Sequence, residues 1–215
     1  MSDSDARSVA ENPEPVTEAS GRKRPKPGER RIQILQALAA MLEQPDGERI
    51  TTAALAARLQ VSEAALYRHF ASKAQMYEGL IEFIEQSVFT LINQITAAGA
   101  GDGAQQVARI MTMLLQFGEK NPGMVRVMVG DALVFENERL LQRMNLFFDK
   151  VEATLRQVLR EAGAQAGFAA PGADAQVRAS ILTSFVVGRF QRFARSGFRR
   201  QPSEYLESSL AAMLR

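Results

Sequence analysis

The chain has 215 residues, 46% of them hydrophobic, with a formal net charge of +2, one histidine and no cysteine. Without cysteine, disulfides, thiolate metal sites and cysteine nucleophiles are excluded. So small a net charge excludes a uniformly cationic coat, and any nucleic-acid surface must concentrate its cations in one region.

Residues 1–28 are rich in Pro, Ser, Glu and Lys and offer almost nothing to bury, the composition of a disordered extension. Acids dominate from Asp3 to Glu18, and Arg22, Lys23, Arg24, Lys26, Arg30 and Arg31 follow. The basic part suits either an arm on DNA phosphates or a solubilising tail. The extension lacks the apolar stretch of a signal peptide, and no apolar run in the chain approaches the ~18 residues that span a bilayer. A soluble protein of the reducing cytoplasm is expected.

From Glu29 the pattern turns helical. Ile32, Leu35, Leu38, Met41 and Leu42 recur at helical spacing until Pro45, Asp46 and Gly47 break the chain. Thr51, Ser62 and Ser72 then head three successive helices as N-cap residues. The pairs Ile50/Leu55 and Val61/Leu66 stand at hydrophobic-staple positions. These signals predict helices over 52–59, 63–70 and from 73 onward, and the short link between the first two forces the steep crossing of a helix-turn-helix.

On a wheel of the second of these helices, Leu66 and Phe70 share the buried face. Ala64, Tyr67 and Arg68 point away from it, with Ala65 at its edge. Small alanines let a helix approach base edges in a major groove. Tyr67 and Arg68 can reach phosphate, or a thymine methyl in the case of the tyrosine. Thr51 and Thr52 open the preceding helix, where free amides suit a phosphate oxygen, and Ser62 caps the recognition helix itself. Lys73 in a first helical turn opposes the helix dipole at a cost of roughly 0.3–1 kcal/mol, which a phosphate at that end would offset. His69, a lone histidine, cannot build a metal site and reads as a phosphate contact or a packed residue.

The long helix from Lys73 to about Thr96 is expected to bury Met76, Leu80, Phe83, Ile84, Val88, Leu91 and Ile95, and Gly99, Gly101 and Gly103 to end it. Helices are predicted over about 104–118, 124–135 and up to about Glu161, the last with Leu140, Met144, Phe147, Val151, Leu155 and Val158 on one stripe. Asn121-Pro122-Gly123 reads as a turn, and 162–173 as an Ala/Gly/Pro loop. Two closing helices follow, about 174–196 and 203–214. Arg189, Arg192 and Arg195 are spaced by three, either a solvated charge stripe or a surface for an acidic partner. Strand-like alternation is lacking, so the fold class is all-α: a disordered extension over 1–28, a DNA-binding domain over 29–72 and a helical body over 73–215. No Gly-rich phosphate loop, metal-ligand cluster or nucleophile–base pair points to an enzyme or a cofactor.

The run TAALAARLQVSEAALYRHFASK, Thr52 to Lys73, resembles the DNA-binding signature of the TetR family in its Leu-Ala, Val-Ser, Leu-Tyr, His-Phe and Ser-Lys pairs. Gln60 departs from it where the family often has glycine. The stretches GLIEFIEQSV, FGEKNPGMVRVM, ALVFENERLLQRMN and VEATLRQVLRE extend the likeness to about Glu161, toward a branch of that family that links chromosome binding to cell division. The resemblance implies a homodimer, built through the helices after residue 174, on palindromic double-stranded DNA sites. It also implies that the bound dimer engages the tubulin-like GTPase FtsZ and blocks division-ring assembly over the nucleoid. Its FtsZ contacts would be Phe83, Lys120 and Asn121, with Phe83 equally readable as core packing; Leu91 stands where an arginine would be useful. The other function open to such a fold is a repressor released from DNA by a small-molecule ligand.

Overall fold

The computed structural model describes residues 28–44, 50–97, 103–167 and 169–214. The acidic-to-basic extension, the Pro45–Gly47 break and the glycines at 99 and 101 lie outside them. Among the described residues every regular element is helical: α1 (Glu29–Leu42), α2 (Thr52–Leu59), α3 (Glu63–Tyr67), α4 (Lys73–Ala97), α5 (Gly103–Lys120), α6 (Pro122–Met128), a 3-10 turn (Asp131–Leu133), α7 (Glu138–Gln165), α8 (Pro171–Arg195) and α9 (Leu206–Met213). None of these helices is long and apolar enough to cross a membrane.

The three caps form as the residue types dictate. Thr51 Oγ1 accepts from the Ala54 amide, Ser62 Oγ from Ala65 and Ser72 Oγ from Gln75. Each satisfies one of the amides that a helix start leaves without a backbone partner. Leu55, Leu66 and Phe70 then bury their side chains with Ile34 and Leu38 of α1, so α1 to α3 close over one corner of the core. Gly123 at the start of α6 makes that corner's junction with the body. A Cβ there would lie 2.1 Å from the Ala39 carbonyl oxygen, so α6 meets α1 backbone to backbone. Asn121-Pro122-Gly123 is therefore a helix start with proline at the first position, as well as a turn.

The body differs from the periodicity reading at identifiable places. Helix α4 buries Tyr77, Leu80, Ile81, Ile84, Val88 and Ile92, and this stripe leaves Phe83, about 100° from Ile84, pointing outward and 48% exposed. Leu91 shares the angular position of the stripe, yet it is only partly covered and stays 38% exposed. The segment expected as one helix over 124–135 ends at Met128, because Gly130 turns left-handed at φ 80° and a 3-10 turn follows. Most of the expected loop over 162–173 is helix: α7 runs on through its alanines to Gln165, and Pro171 opens α8 at a first helical position. Gly103 begins α5 and does not end α4. The short link makes α7 and α8 an antiparallel hairpin, tied across by Arg156 to Gln176 and by Gln176 to Glu152. Arg143 of α7 grips Glu85 of α4 with two nitrogens, at 3.2 and 2.6 Å. The hydrogen bond to Glu85 is the main reason its guanidinium is held above its ordinary pKa.

Candidate DNA interface

Helices α2 and α3 are joined by a turn in which Gln60 is left-handed, at φ 55° and ψ 44°. Val61 N–H bonds the Ala56 carbonyl and Gln60 N–H bonds the Ala57 carbonyl, the paired bonds with which a glycine usually ends a helix. The departure noted at Gln60 thus leaves the turn geometry intact, with a residue that pays roughly 1–2 kcal/mol for its backbone conformation.

The recognition element is shorter than predicted. Regular helix covers Glu63–Tyr67, and Arg68 and His69 form a tightened last turn in which His69 N–H bonds the Leu66 carbonyl. The next polar groups are claimed by other elements. Arg31 of α1 donates to the His69 carbonyl at 2.6 Å and lies over the Phe70 ring at 4.2 Å from its centroid. Gln75 Oε1 accepts from the Ala71 amide. Arg31, in sequence the last of the basic run that suits either a phosphate arm or a solubilising tail, is thus a clamp on the end of the recognition element.

The remaining predicted residues come together on one outer face. Ala64, Tyr67, Arg68, His69 and Thr51 are exposed, Thr52 and Ala65 partly so, and Leu66 and Phe70 are buried beneath them. Thr52 is the hub. Its hydroxyl donates to Glu63 Oε2 at 2.6 Å and accepts, at 3.5 Å, from the Tyr67 hydroxyl. This relay ties the start of α2 to both ends of α3 and consumes the one proton that Thr52 has to donate. Thr51 differs: its oxygen serves the cap while its hydroxyl proton is left for an acceptor outside the chain. Glu63, which orients Thr52, was missed by the sequence reading. The signal was a carboxylate in the first turn of a helix, and that is ordinarily read as a dipole effect alone.

Lys73 does not extend freely from its helix end. Its Nζ lies 2.5 Å from Glu136 Oε1, in the turn before α7, and 5.7 Å from the Tyr77 ring centroid. The pair is largely shielded from solvent, with side-chain exposures of 20% and 10%. A phosphate contact by Lys73 therefore requires exchange of one anionic partner for another.

The residues assigned to FtsZ contact are only partly gathered. Lys120 and Asn121 line a groove of about 470 Å3 between α4 and α5, with Leu91, Met113 and Phe117 as apolar lining and Arg109 as a second cation. Phe83 is exposed but does not line it. Asn121 Nδ2 donates to the Phe117 carbonyl, closing the end of α5.

The comparisons with known proteins bear on the family and the fold. The model of bacterial regulatory proteins of the TetR family matches residues 34–80. The SlmA-like model, described as Tetracyclin repressor-like, C-terminal domain, matches residues 102–215. Similar curated proteins include the nucleoid occlusion factor SlmA of Aliivibrio fischeri, 50% identical over 84% of this chain and 91% of that protein. That of Vibrio vulnificus is 48% identical over 87% and 95%. In fold the chain resembles FadR of Bacillus subtilis, solved with stearoyl-CoA, at a TM-score of 0.67 and 15% identity over 85% of this chain and 96% of that one. PfmR of Thermus thermophilus gives 0.68 and 20% over 85% and 94%. Because the likeness runs through the body at this identity as well as through the DNA-binding helices, the chain belongs to the TetR family and, within it, to the nucleoid occlusion factors.

Proposed function

We propose that this protein is a homodimer that binds palindromic chromosomal DNA through α2 and α3 and, while bound, inhibits FtsZ ring assembly over the nucleoid. The observation that carries the reading is the 50% identity to a nucleoid occlusion factor over 84% of the chain, since repressors of the family share mainly the DNA-binding head. The exposed face of Thr51, Ala64, Tyr67, Arg68 and His69 supports groove contact, with Ser62, Ala65 and Thr52 holding its frame. Lys73 joins the phosphate contacts once it leaves Glu136. One recognition element reads few base pairs, so two copies about 34–36 Å apart are required. Val177 and Ile181 on α8 are exposed at 60% and 49%, and the Cβ position of Gly188, further along that helix, meets open space. This face suits a second copy of α8.

The α4–α5 groove is the docking surface for FtsZ. Its apolar lining between Arg109 and Lys120 complements an extended segment bearing acidic and apolar residues. The two cations lie roughly 16 Å apart along α5, at about 1.5 Å per residue. Arg109 supplies the charge that Leu91 does not. Release by a small ligand, the alternative, would need an internal chamber; Leu114, Phe147, Val186 and Phe190 fill the interior among α5, α7 and α8 at 0% exposure. The deciding experiment is sedimentation of FtsZ polymers formed with GTP, with this protein added in the presence or absence of a selected DNA site. Loss of polymer only when protein and specific DNA are both present is expected. Unchanged polymer in every mixture, with DNA binding intact, rejects the reading.

A further inference from the structure

The arginines at 189, 192 and 195 do not share one face. Steps of three residues rotate each by about 60° from the last, and the structure divides them. Arg195 faces Arg126 and Asp131 across a separate hollow. Arg189 and Arg192 meet Arg199 and Arg200 of the α8–α9 loop around a concavity of about 720 Å3. That size falls within the ~300–1,000 Å3 of small-molecule sites.

We propose that this concavity is a nucleotide-binding site in which the four arginines hold the polyphosphate and Tyr205 stacks on the base. Glu204 is the one carboxylate among the lining residues, and the arginines outnumber it. Among the described residues none of the four forms an ion pair. Arg189 is half-buried, with its guanidinium 5.1 Å from the Phe185 ring centroid and its Nε enclosed without a hydrogen-bond partner. A buried donor left unmatched is destabilising, and a shift of the Arg189 guanidinium onto an anion in the concavity would relieve it. Guanidinium groups suit phosphate because their planar fork binds two oxygens at once.

The loop that brings the arginines together is fixed before any ligand arrives. Ser196 Oγ accepts from the Arg199 and Arg200 amides, and Arg199 Nε donates to the Ser196 carbonyl. At its other end the Glu119 carboxylate accepts from the amide and the hydroxyl of Ser203. Phe198 and Tyr205 both hold left-handed backbones, at φ 61° and 58°. Such strain persists only where surrounding contacts enforce it, and it collects at functional positions. The third non-glycine residue of this kind among those described is Gln60, in the helix-turn-helix. The cations converge on one hollow from a helix and a loop, which fits a compact polyphosphate; the carboxylates of an acidic peptide would instead be strung along an extended groove. Tyr205, 74% exposed at the rim, presents an open ring for stacking.

Calorimetry of the full-length protein at fixed ionic strength, with ATP, inorganic triphosphate and adenosine as probes, tests this. ATP is expected to bind saturably, once per chain, and more tightly than triphosphate, while adenosine alone does not bind. Arg200→Gln, at an exposed position, is expected to weaken ATP about tenfold, the loss of one charge-assisted contact. Arg189→Gln should weaken it at least as much. Tyr205→Ala should remove the preference for ATP over triphosphate. The proposal fails if neither ATP nor triphosphate binds, if both arginine variants bind ATP undiminished, or if ATP binds no better than triphosphate. It also fails if Arg200→Gln dissociates the dimer in sedimentation while leaving ATP affinity unchanged, because the cluster would then hold acids of the second copy. DNA binding and FtsZ inhibition are measured separately, so neither result bears on the other reading.

Discussion

The DNA-binding head and the α4–α5 groove are built on opposite terms. In the head, every proposed contact from Thr51 to Lys73 lies in one short stretch, and its geometry follows from local chemistry. Two side-chain caps, a left-handed turn and two buried anchors set the angle between α2 and α3. The groove collects Leu91, Arg109, Lys120 and Asn121 from separate turns of two helices, and its shape exists only because α4 and α5 pack side by side. Local chemistry makes a surface that travels with its motif. A packed groove can be reshaped by any change in the body, which is why two proteins can share the head and differ in partner.

Leu66→Ala is the severest test of the head. The residue is 0% exposed, and its truncation is expected to cost about 2–5 kcal/mol, read as a lower thermal midpoint with loss of DNA binding. A stable variant would show that the head does not depend on this anchor. Lys120→Glu tests the groove by reversing charge at an exposed position. It should abolish polymer loss in the FtsZ assay and leave DNA affinity and thermal stability unchanged; retained inhibition would move the docking surface elsewhere.

Thr51→Ala sharpens the contrast, because it removes a cap and a proposed phosphate donor together. A stability loss of about 1 kcal/mol is expected, together with weaker DNA binding at every sequence. Replacement by Ser should restore both. Lys73 links the two regions through Glu136. Lys73→Ala is expected to lower the slope of log affinity against log salt by about 0.9, and Glu136→Gln, which frees the lysine, to raise affinity for all DNA. An unchanged slope in Lys73→Ala would mean that the lysine stays with Glu136 on DNA and belongs to the body. The smallest effect is expected at Gln60. A glycine there relieves the left-handed backbone and should stabilise the fold by up to about 1 kcal/mol, visible as a modest rise in the thermal midpoint.

Caps, staples and the apolar period were legible in the sequence because each depends on residues within one or two turns. They give the all-α class, the helix-turn-helix and the boundaries of α2, while the family was legible only as a resemblance of whole sequence runs. Sequence alone also exposed the oddity at Gln60. What needed the tertiary structure was the fate of side chains whose partners are distant in the chain. Arg31 became a clamp only when α1 lay beside His69, and Lys73 met Glu136 across the fold. Phe83 and Leu91 had the apolar character of core residues, but burial depends on whether another element covers them. Likewise the arginines of α8, equally spaced in the chain, were parted by helical rotation and regrouped by the loop that Ser196 and Glu119 hold in place. Residue type sets what a side chain is able to bond, and only the packing of distant elements decides what stands within its reach.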